Sequence, residues 1–460
     1  MQRIFAIVWL TWKAAFRYRL FWVLALLLIA AVVGLPLLIK DDGTARGFTQ
    51  ILLTYTLSAI TGLLGMATLW LACGTLARDI EESQIQMVVV KPIARWQIWI
   101  GKWLGILSLN ALLLAIAGGS VFALLQWRAS RLAPEQQKVL RNEVLVARAS
   151  VKEVPPDYKD VVEQELQRRL QTSSINATNI PALRKQIEEQ VKAGIQSVRP
   201  GTHRPWRIEL GRAKDSLRDQ PLFLRVKFFT AQSNPTGTFI TLWQIGDPET
   251  KNFVRMDPMS HAAETFHEFE IPPNLFDENG RLEIVFVNPN DVTLLFPLEE
   301  GMEVLYREST FGLNFARGLG IIFCWLALLA TLGLAAASLL SFPVAAFVSV
   351  AVLIIGLSSG TLSTVVEDGT ILGVNHETGL AEGRSVIDLV FIPLFRVALK
   401  IINLVQGFSP IDALSTGRSI TWTQLVMAGV QIVLFLGGIM AAVGIIIFNR
   451  RELATAQGHS

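Results

Sequence analysis

A group of charged side chains lies between two apolar runs in residues 77–102, which read ARDIEESQIQMVVVKPIARWQIWIGK. Polar residues dominate its first part, and a Lys-Pro step then ends the helical pattern, because proline lacks an N–H and disfavours helix at the preceding residue. Such a surface helix suits docking into a groove of a soluble partner; the alternative is a solvated loop between two spans. The candidate docking residues are Arg78, Glu81, Glu82, Gln84, Lys91, Pro92 and Arg95.

Motifs for nucleotide binding and for catalysis are absent from the sequence. Gly101-Lys102 is followed by Trp103 and has no upstream glycine at the P-loop spacing. H-E-x-x-H does not occur. The letters G-x-S-x-G occur only as GLSSG at residues 356–360, inside an apolar run long enough to be a span, and this is not the strand-to-helix turn of a nucleophile elbow. We therefore expect no catalytic or cofactor-binding residue in this chain and do not expect it to be an enzyme.

The nearest approach to a metal cluster is His261 and His267 beside Glu264 and Glu268. In AETFHEFEI, however, His267 alternates with apolar residues, as does a strand side chain packed beside a core. This pattern favours a structural histidine over a ligand, so we expect no metal site.

The elements that position these residues follow from composition. The chain has 460 residues, of which 51% are hydrophobic and only 17% charged, and its mean hydropathy is +0.43. These values are typical of a polytopic helical membrane protein. A net charge of +3 is too small to indicate nucleic acid. Cys73 and Cys324 both lie in apolar runs and indicate neither a disulfide framework nor a metal site.

About six segments are long and apolar enough to cross a bilayer, which takes roughly 20 residues. A basic helix expected at the membrane interface precedes the first of them, and no cleavable signal is evident. The predicted spans are 20–39, 51–76, 103–126, 313–340, 342–363 and 424–448.

The orientation of the spans follows from Lys and Arg in their short flanks. The N-terminal flank, segment 77–102 and Arg450–Arg451 are basic, whereas the loop 41–49 is not. The sequence therefore predicts that both termini and segment 77–102 lie in the cytoplasm of a bacterium whose inner membrane the chain crosses. Residues 127–312 would then lie outside the cytoplasm.

Residues 127–312 form a polar insert large enough to bury a core of its own. Its first part, 133–200, has helical periodicity with charges of both signs. From 204 to 308 the pattern becomes alternating, as in PLFLRVKFF and RLEIVFV, with turn clusters between the runs. We expect an extracytoplasmic α+β domain that contains an antiparallel β-sandwich.

A second outer segment, 364–423, separates the last two predicted spans. Its apolar stretch carries Asp388, Arg396 and Lys400 on one broad helical face, with Pro393 between them. Because a central arginine is costly in lipid, an amphipathic or re-entrant helix is expected here rather than a seventh span.

Taken in order, these features resemble the permease subunits of type-2 ABC exporters. The resemblance rests on ARDIEESQIQMVVVKPIARWQIWIGKWLG, the basic first helix, the closely spaced fourth and fifth spans and GFSPIDALSTGRSITW, and it covers residues 1–126 and 313–450. It implies a cytoplasmic ATP-binding-cassette subunit that carries ATP and Mg, a second copy of the permease or a related chain, and a coupling role for segment 77–102. The large insert between the third and fourth spans departs from the family pattern.

Two functions thus remain open. The first is an export permease that is formed by residues 1–126 and 313–460 and driven by a separate ATPase. The second is a mechanical or scaffold membrane protein that moves no solute and whose outer domain binds an extracytoplasmic protein or polymer of the envelope.

Overall fold

A computed structural model describes residues 2–17, 20–38, 44–82, 93–154, 157–172, 180–230, 237–247, 252–368, 371 and 386–451. The chain divides into two compact units. The helical unit comprises Met1–Ala147 with Ser309–Ser460, and the insert unit comprises Arg148–Glu308. The insert unit lies inside the stretch 127–312 expected to be a separate domain, while a helix at Pro134–Glu143 belongs to the helical unit.

The helices of the helical unit follow the apolar runs of the sequence. They are α1 Gln2–Arg17, α2 Leu20–Leu38, α3 Ala45–Glu81, α4 Arg95–Ala129, α5 Pro134–Glu143, α8 Phe311–Leu339, α9 Phe342–Leu357, α10 Ser359–Asp368, α11 Val386–Gln406, α12 Pro410–Ser415, α13 Trp422–Ala428 and α14 Gly438–Arg450. A π-helical segment, Gly429–Gly437, joins α13 to α14.

Among the described residues, four helices are long and apolar enough to cross a membrane: Arg46–Glu81, Arg95–Ala129, Phe311–Leu339 and Trp422–Arg450. A fifth candidate is the pair Phe342–Leu357 and Ser359–Val366, which is bent by 61° at its break. A shorter apolar helix covers Trp22–Leu35. The chain therefore has the architecture of a helical membrane protein.

Small residues bring the central helices α3, α4 and α8 together. A Cβ added at Gly333 of α8 would lie 2.7 Å from the Cβ of Ala72 on α3, and one at Gly118 of α4 would lie 2.5 Å from a methyl carbon of Leu319. Close backbone approach of this kind is typical of helices that pack in lipid. Buried polar contacts add to it, since Asn110 Nδ2 donates to Thr68 Oγ1 across 2.8 Å.

The region expected to carry an amphipathic or re-entrant helix contains α10 and α11, which pack against each other. Pro393 lies inside α11. Of the three charged residues predicted to share one face, Arg396 and Lys400 are exposed, whereas Asp388 is buried and accepts a hydrogen bond from the N–H of Ile371. A buried carboxylate needs such a hydrogen bond, so Asp388 lies in a different environment from the two exposed bases.

The insert unit consists of strands and two helices. The elements are β1 Val146–Val151, α6 Lys159–Thr172, α7 Ile180–Gln196, β2 Ser197–Val198, β3 His203–Glu209, β4 Leu222–Val226, β5 Phe229–Thr230, β6 Thr238–Asp247, β7 Asn252–Arg255, β8 Met259–Ala262, β9 His267–Ile271, β10 Arg281–Val287, β11 Leu294–Leu295 and β12 Met302–Thr310. β1 begins two residues before this unit.

These strands form antiparallel sheets. One has the order β1-β12-β4-β9, a second has β3-β10-β6-β7 with β8 also paired to β6, and a third, small sheet has β2-β11-β5. The strands expected from alternating residues are confirmed at β4 and β10, where Leu224 and Ile284 are fully buried. Both belong to a single core, in which the Trp243 ring also packs 4.9 Å from that of Phe286.

Candidate functional site

Three helix ends and two helix starts meet at one end of the helical unit, which we call the junction end. It comprises residues 78–82 at the end of α3, 95–102 at the start of α4, 337–342 between α8 and α9, and 448–451 after α14. The candidate docking segment 77–102 therefore joins two of the helices that meet there. Among its described residues, Arg78, Glu81 and Arg95 contact other helices.

Glu81 binds the start of α9. Its Oε1 accepts a hydrogen bond of 2.8 Å from the N–H of Phe342, one of the first amide groups of that helix, which have no partner within the helix. Ser341 occupies the N-cap position of α9 but makes no side-chain capping bond. The carboxylate from α3 thus supplies the acceptor, and the positive end of the helix dipole favours its charge. Arg78 stands over the Phe342 ring, 4.3 Å from its centroid.

Arg95 binds the end of α14. Its Nη1 lies 3.2, 2.9 and 2.7 Å from the carbonyl oxygens of Phe448, Asn449 and Arg451. The last carbonyls of a helix lack partners within the helix and attract cations. Arg451 does the same for α8, since its Nη1 donates to the carbonyl of Ser338 across 3.1 Å. The start of α4 is therefore tied to the last helix, and the last helix is tied to α8.

Lys102 and Asp79 join α3 to α4 beside these contacts. The Nζ of Lys102 donates to Asp79 Oδ2 and to the carbonyl of Thr75, both across 2.6 Å. Lys102 is only 7% exposed. A buried cation needs such partners, because removing it from water is costly.

The first helix packs beside the start of α4 at two glycines. A Cβ at Gly101 would lie 2.7 Å from the Cβ of Ile7, and one at Gly105 would lie 2.7 Å from the Cβ of Thr11. The G-x-x-x-G spacing places both glycines on one face of α4. Trp12 Nε1 donates to Ser108 Oγ across 2.8 Å, one turn further along.

Of the seven residues predicted to dock a partner, four lie among the described residues. Arg78, Glu81 and Arg95 have the contacts above, and the exposed Glu82 ends α3 with its N–H bonded to the carbonyls of Arg78 and Ile80. The other three, Gln84, Lys91 and Pro92, lie outside the described residues. Docking itself stays a prediction.

Sequence reasoning missed three residues of the junction end as a site, Asp79, Lys102 and Arg451, and also Gly105, one turn beyond it on α4. Two signals for these contacts were available in the sequence. One was the opposite charges at the facing ends of consecutive helices, and the other was the glycine spacing Gly101–Gly105. The role of Arg451 had no local signal, because its acceptor, Ser338, lies 113 residues earlier in the chain.

The histidine pair lies in the insert unit. The rings of His261 and His267 stack with their centroids 4.2 Å apart, and the Nε2 of His267 lies 2.8 Å from the carbonyl oxygen of Ala262. Burial, with a smaller contribution from the charge of His267, lowers the pKa of His261 to about 4. Because Thr241 Oγ1 also bonds His261 Nδ1 at 3.0 Å, these rings are engaged within the fold.

In the described part of the chain, no group of three or more His, Cys, Asp or Glu side chains could hold a metal ion. The arrangement at the junction end is suited to a mechanical role, because charged side chains cap helices that are distant in sequence and so join them. No protein-family model, curated protein or solved structure matches this chain.

Proposed function

We propose that this chain is the membrane-spanning permease subunit of an ABC export complex, and that a separate cytoplasmic ATP-binding-cassette subunit docks on segment 77–102. ATP and Mg would bind that subunit, and a second permease copy or a related chain would complete the complex. The observation that carries the proposal is the junction end, where side chains of one segment between two long apolar helices bind α9 and α14, and Arg451 links α14 in turn to α8.

This arrangement supports a role in transmitting force. A segment whose ends were free would absorb the displacement imposed by a docked subunit. Here Glu81, near the start of the docking segment, holds α9, and Arg95, near its end, holds α14. Displacement of the segment would therefore move helices that are remote in sequence.

The proposed topology has six spans: α2, α3, α4, α8, the bent pair α9–α10, and α13 with α14. Both termini and the junction end would face the cytoplasm of a bacterial inner membrane, consistent with the bases of that end. The insert unit would lie outside, with its two larger sheets packed as a sandwich.

Purification of the full-length chain from its native membrane tests the proposal. We expect an ATP-binding-cassette subunit to co-purify, and reversal of charge in Glu82→Lys with Lys91→Glu to reduce its recovery several-fold. These positions are suitable because Glu82 is exposed, whereas changes at Glu81 or Arg95 would also break contacts within the helical unit. Glu135→Lys with Lys138→Glu, at two exposed positions of α5, is a matched double charge reversal and should leave recovery unchanged. Equal recovery from all variants would contradict docking on this segment.

A scaffold function is the second candidate, favoured by the insert unit and its separate hydrophobic core. In this case the outer domain binds an envelope protein or polymer and no solute crosses the bilayer. Replacing residues 148–308 with a short flexible linker separates the two functions. Solute export that survives the deletion supports the permease, whereas loss of an envelope partner from a chain that moves no solute supports the scaffold.

A further inference from the structure

The two ends of the docking segment are not held alike. On the α3 side, Glu81 accepts one hydrogen bond from the start of α9, and Arg78 stacks on the Phe342 ring. On the α4 side, Arg95 faces three carbonyl oxygens at the end of α14, the nearest at 2.7 Å. The connection to the last helix is therefore the more extensive one, and it consists entirely of a side chain bound to main-chain groups.

The connection continues beyond α14. Arg451, whose own carbonyl accepts from Arg95, donates through Nη1 to the carbonyls of Ala337 and Ser338 at the end of α8, at 3.4 and 3.1 Å. A guanidinium offers several donors in a fixed planar geometry, so two arginines in series form a stiff path from α4 through the end of α14 to α8.

The helix that receives this path is less buried within the chain than the central helices are. In the most apolar stretch of Trp422–Arg450 only 17% of residues are buried, against 50–56% for the other three long helices. This helix also contains the π-helical segment Gly429–Gly437. Such segments are rare and are often found where a helix changes shape for function.

We propose that Arg95 and Arg451 are positioning residues that transmit displacement of segment 77–102 to the last helix, with Arg95 the link from α4 to α14 and Arg451 the link from α14 to α8. This inference rests on the proposed function, and it adds which helix moves and through which side chains. The Arg95 guanidinium pulls on the carbonyls of residues 448–451, and α14 turns about the π-helical segment.

The test uses the full-length chain in nanodiscs with its co-purified ATPase. Spin labels at Leu313→Cys and Ile446→Cys, both at exposed positions, report the distance between the start of α8 and α14. The background carries Cys73→Ala and Cys324→Ser. ATP should change this distance in the otherwise unaltered chain. Arg95→Gln and Arg451→Gln should each lose at least half of this change in distance. The docked ATPase should still hydrolyse ATP in both variants.

Two further variants separate transmission from folding. Arg128→Gln removes an arginine at the opposite end of α4, whose guanidinium stacks 3.6 Å from the Phe48 ring centroid, and should keep the full change. Arg95→Lys keeps the charge but replaces the planar guanidinium with a compact ammonium group, so it should give an intermediate change in distance.

Each result has a distinct meaning. A full distance change in Arg95→Gln overturns the relay while leaving the permease function intact. If Arg95→Gln does not fold, a full distance change in both Arg95→Lys and Arg451→Gln has the same meaning. An unaltered chain that recovers no ATPase overturns the proposed function and the relay with it. An unaltered chain that docks an active ATPase but shows no distance change overturns the relay alone.

Discussion

Lys102 carries a charge although it is only 7% exposed, and its partner Asp79 is about one-third exposed. Pairs of this kind are costly to break, because the remaining partner keeps its desolvation penalty without compensation. The carbonyl of Thr75 also accepts from Lys102, so the ammonium group keeps one acceptor if the carboxylate is removed. The pair therefore determines how tightly α3 and α4 are joined at the junction end.

Removal of this carboxylate should destabilise the helical unit. For Asp79→Ala we expect a loss of about 1–3 kcal/mol, below the usual cost of breaking a fully buried pair because Asp79 is partly exposed. Thermal unfolding in detergent measures the loss, and Lys102→Met in the Asp79→Ala background should recover part of it. Strictly additive effects in this double-mutant cycle would show that the two side chains do not interact.

His261 makes the stability of the insert unit depend on pH. Its pKa is about 4 in the folded chain and about 6.5 when exposed to water, so below pH 6.5 the unfolded chain binds a proton that the folded chain does not. Its contribution is complete above pH 6.5, falls as the pH drops from 6.5 to 4, and is constant below 4. Solvent near this half-buried ring limits the effect to roughly 1–3 kcal/mol.

Unfolding of the insert unit, followed by tryptophan fluorescence at pH 7 and at pH 4.5, tests this dependence of stability on pH. His261→Gln should show a smaller loss of stability between the two pH values than the unaltered chain. The exposed His203 provides the matched control, and His203→Gln should behave like the unaltered chain. An equal pH dependence in His261→Gln would contradict the assignment.

At the scale of elements, patterns within short stretches of sequence predicted the secondary structure that forms within those stretches. Long apolar runs predicted helices, and alternation predicted β4 and β10, because burial of one face imposes its period on the sequence. The partners of Arg95 could not be predicted in this way, since Phe448 lies 353 residues away. The burial of Asp388 beside the exposed Arg396 and Lys400 could not be predicted either, because the N–H of Ile371 that binds it lies 17 residues earlier in the chain.

The packing of α1 on α4 depends on the absence of side chains at Gly101 and Gly105. For Gly105→Ala we expect a loss of about 1–3 kcal/mol, because the added Cβ would lie 2.7 Å from the Cβ of Thr11 and overpacking displaces the helix. Thermal unfolding in detergent is again the measurement. Gly119→Ala on the same helix has nothing within 4 Å of its Cβ and should be neutral or stabilising, as alanine favours helix over glycine. Equal losses in both would argue against close packing at Gly105.

At the scale of the whole molecule, the insert unit should fold without the helices. Its core is assembled from its own residues, including Trp206, Trp243, Phe286 and Phe296, whose rings pack within 6.1 Å of their neighbours. A chain of residues 146–310 keeps β1 and β12 complete. We expect it to be soluble and to unfold cooperatively in urea, with a free energy of unfolding of about 5–15 kcal/mol, as for other domains of this size.

Phe286→Ala in that chain measures how much of the stability comes from this core. Phe286 is fully buried, so its truncation should cost about 3–5 kcal/mol, seen as a lower urea midpoint with an unchanged slope. Val287→Ala, next to it on β10 but 37% exposed, should cost much less. If residues 146–310 show no cooperative transition, the core is not sufficient, and the insert needs the helical unit to fold. Cooperative unfolding would instead mean that the insert can be removed as a unit, which is the condition for using its deletion to separate export from scaffolding.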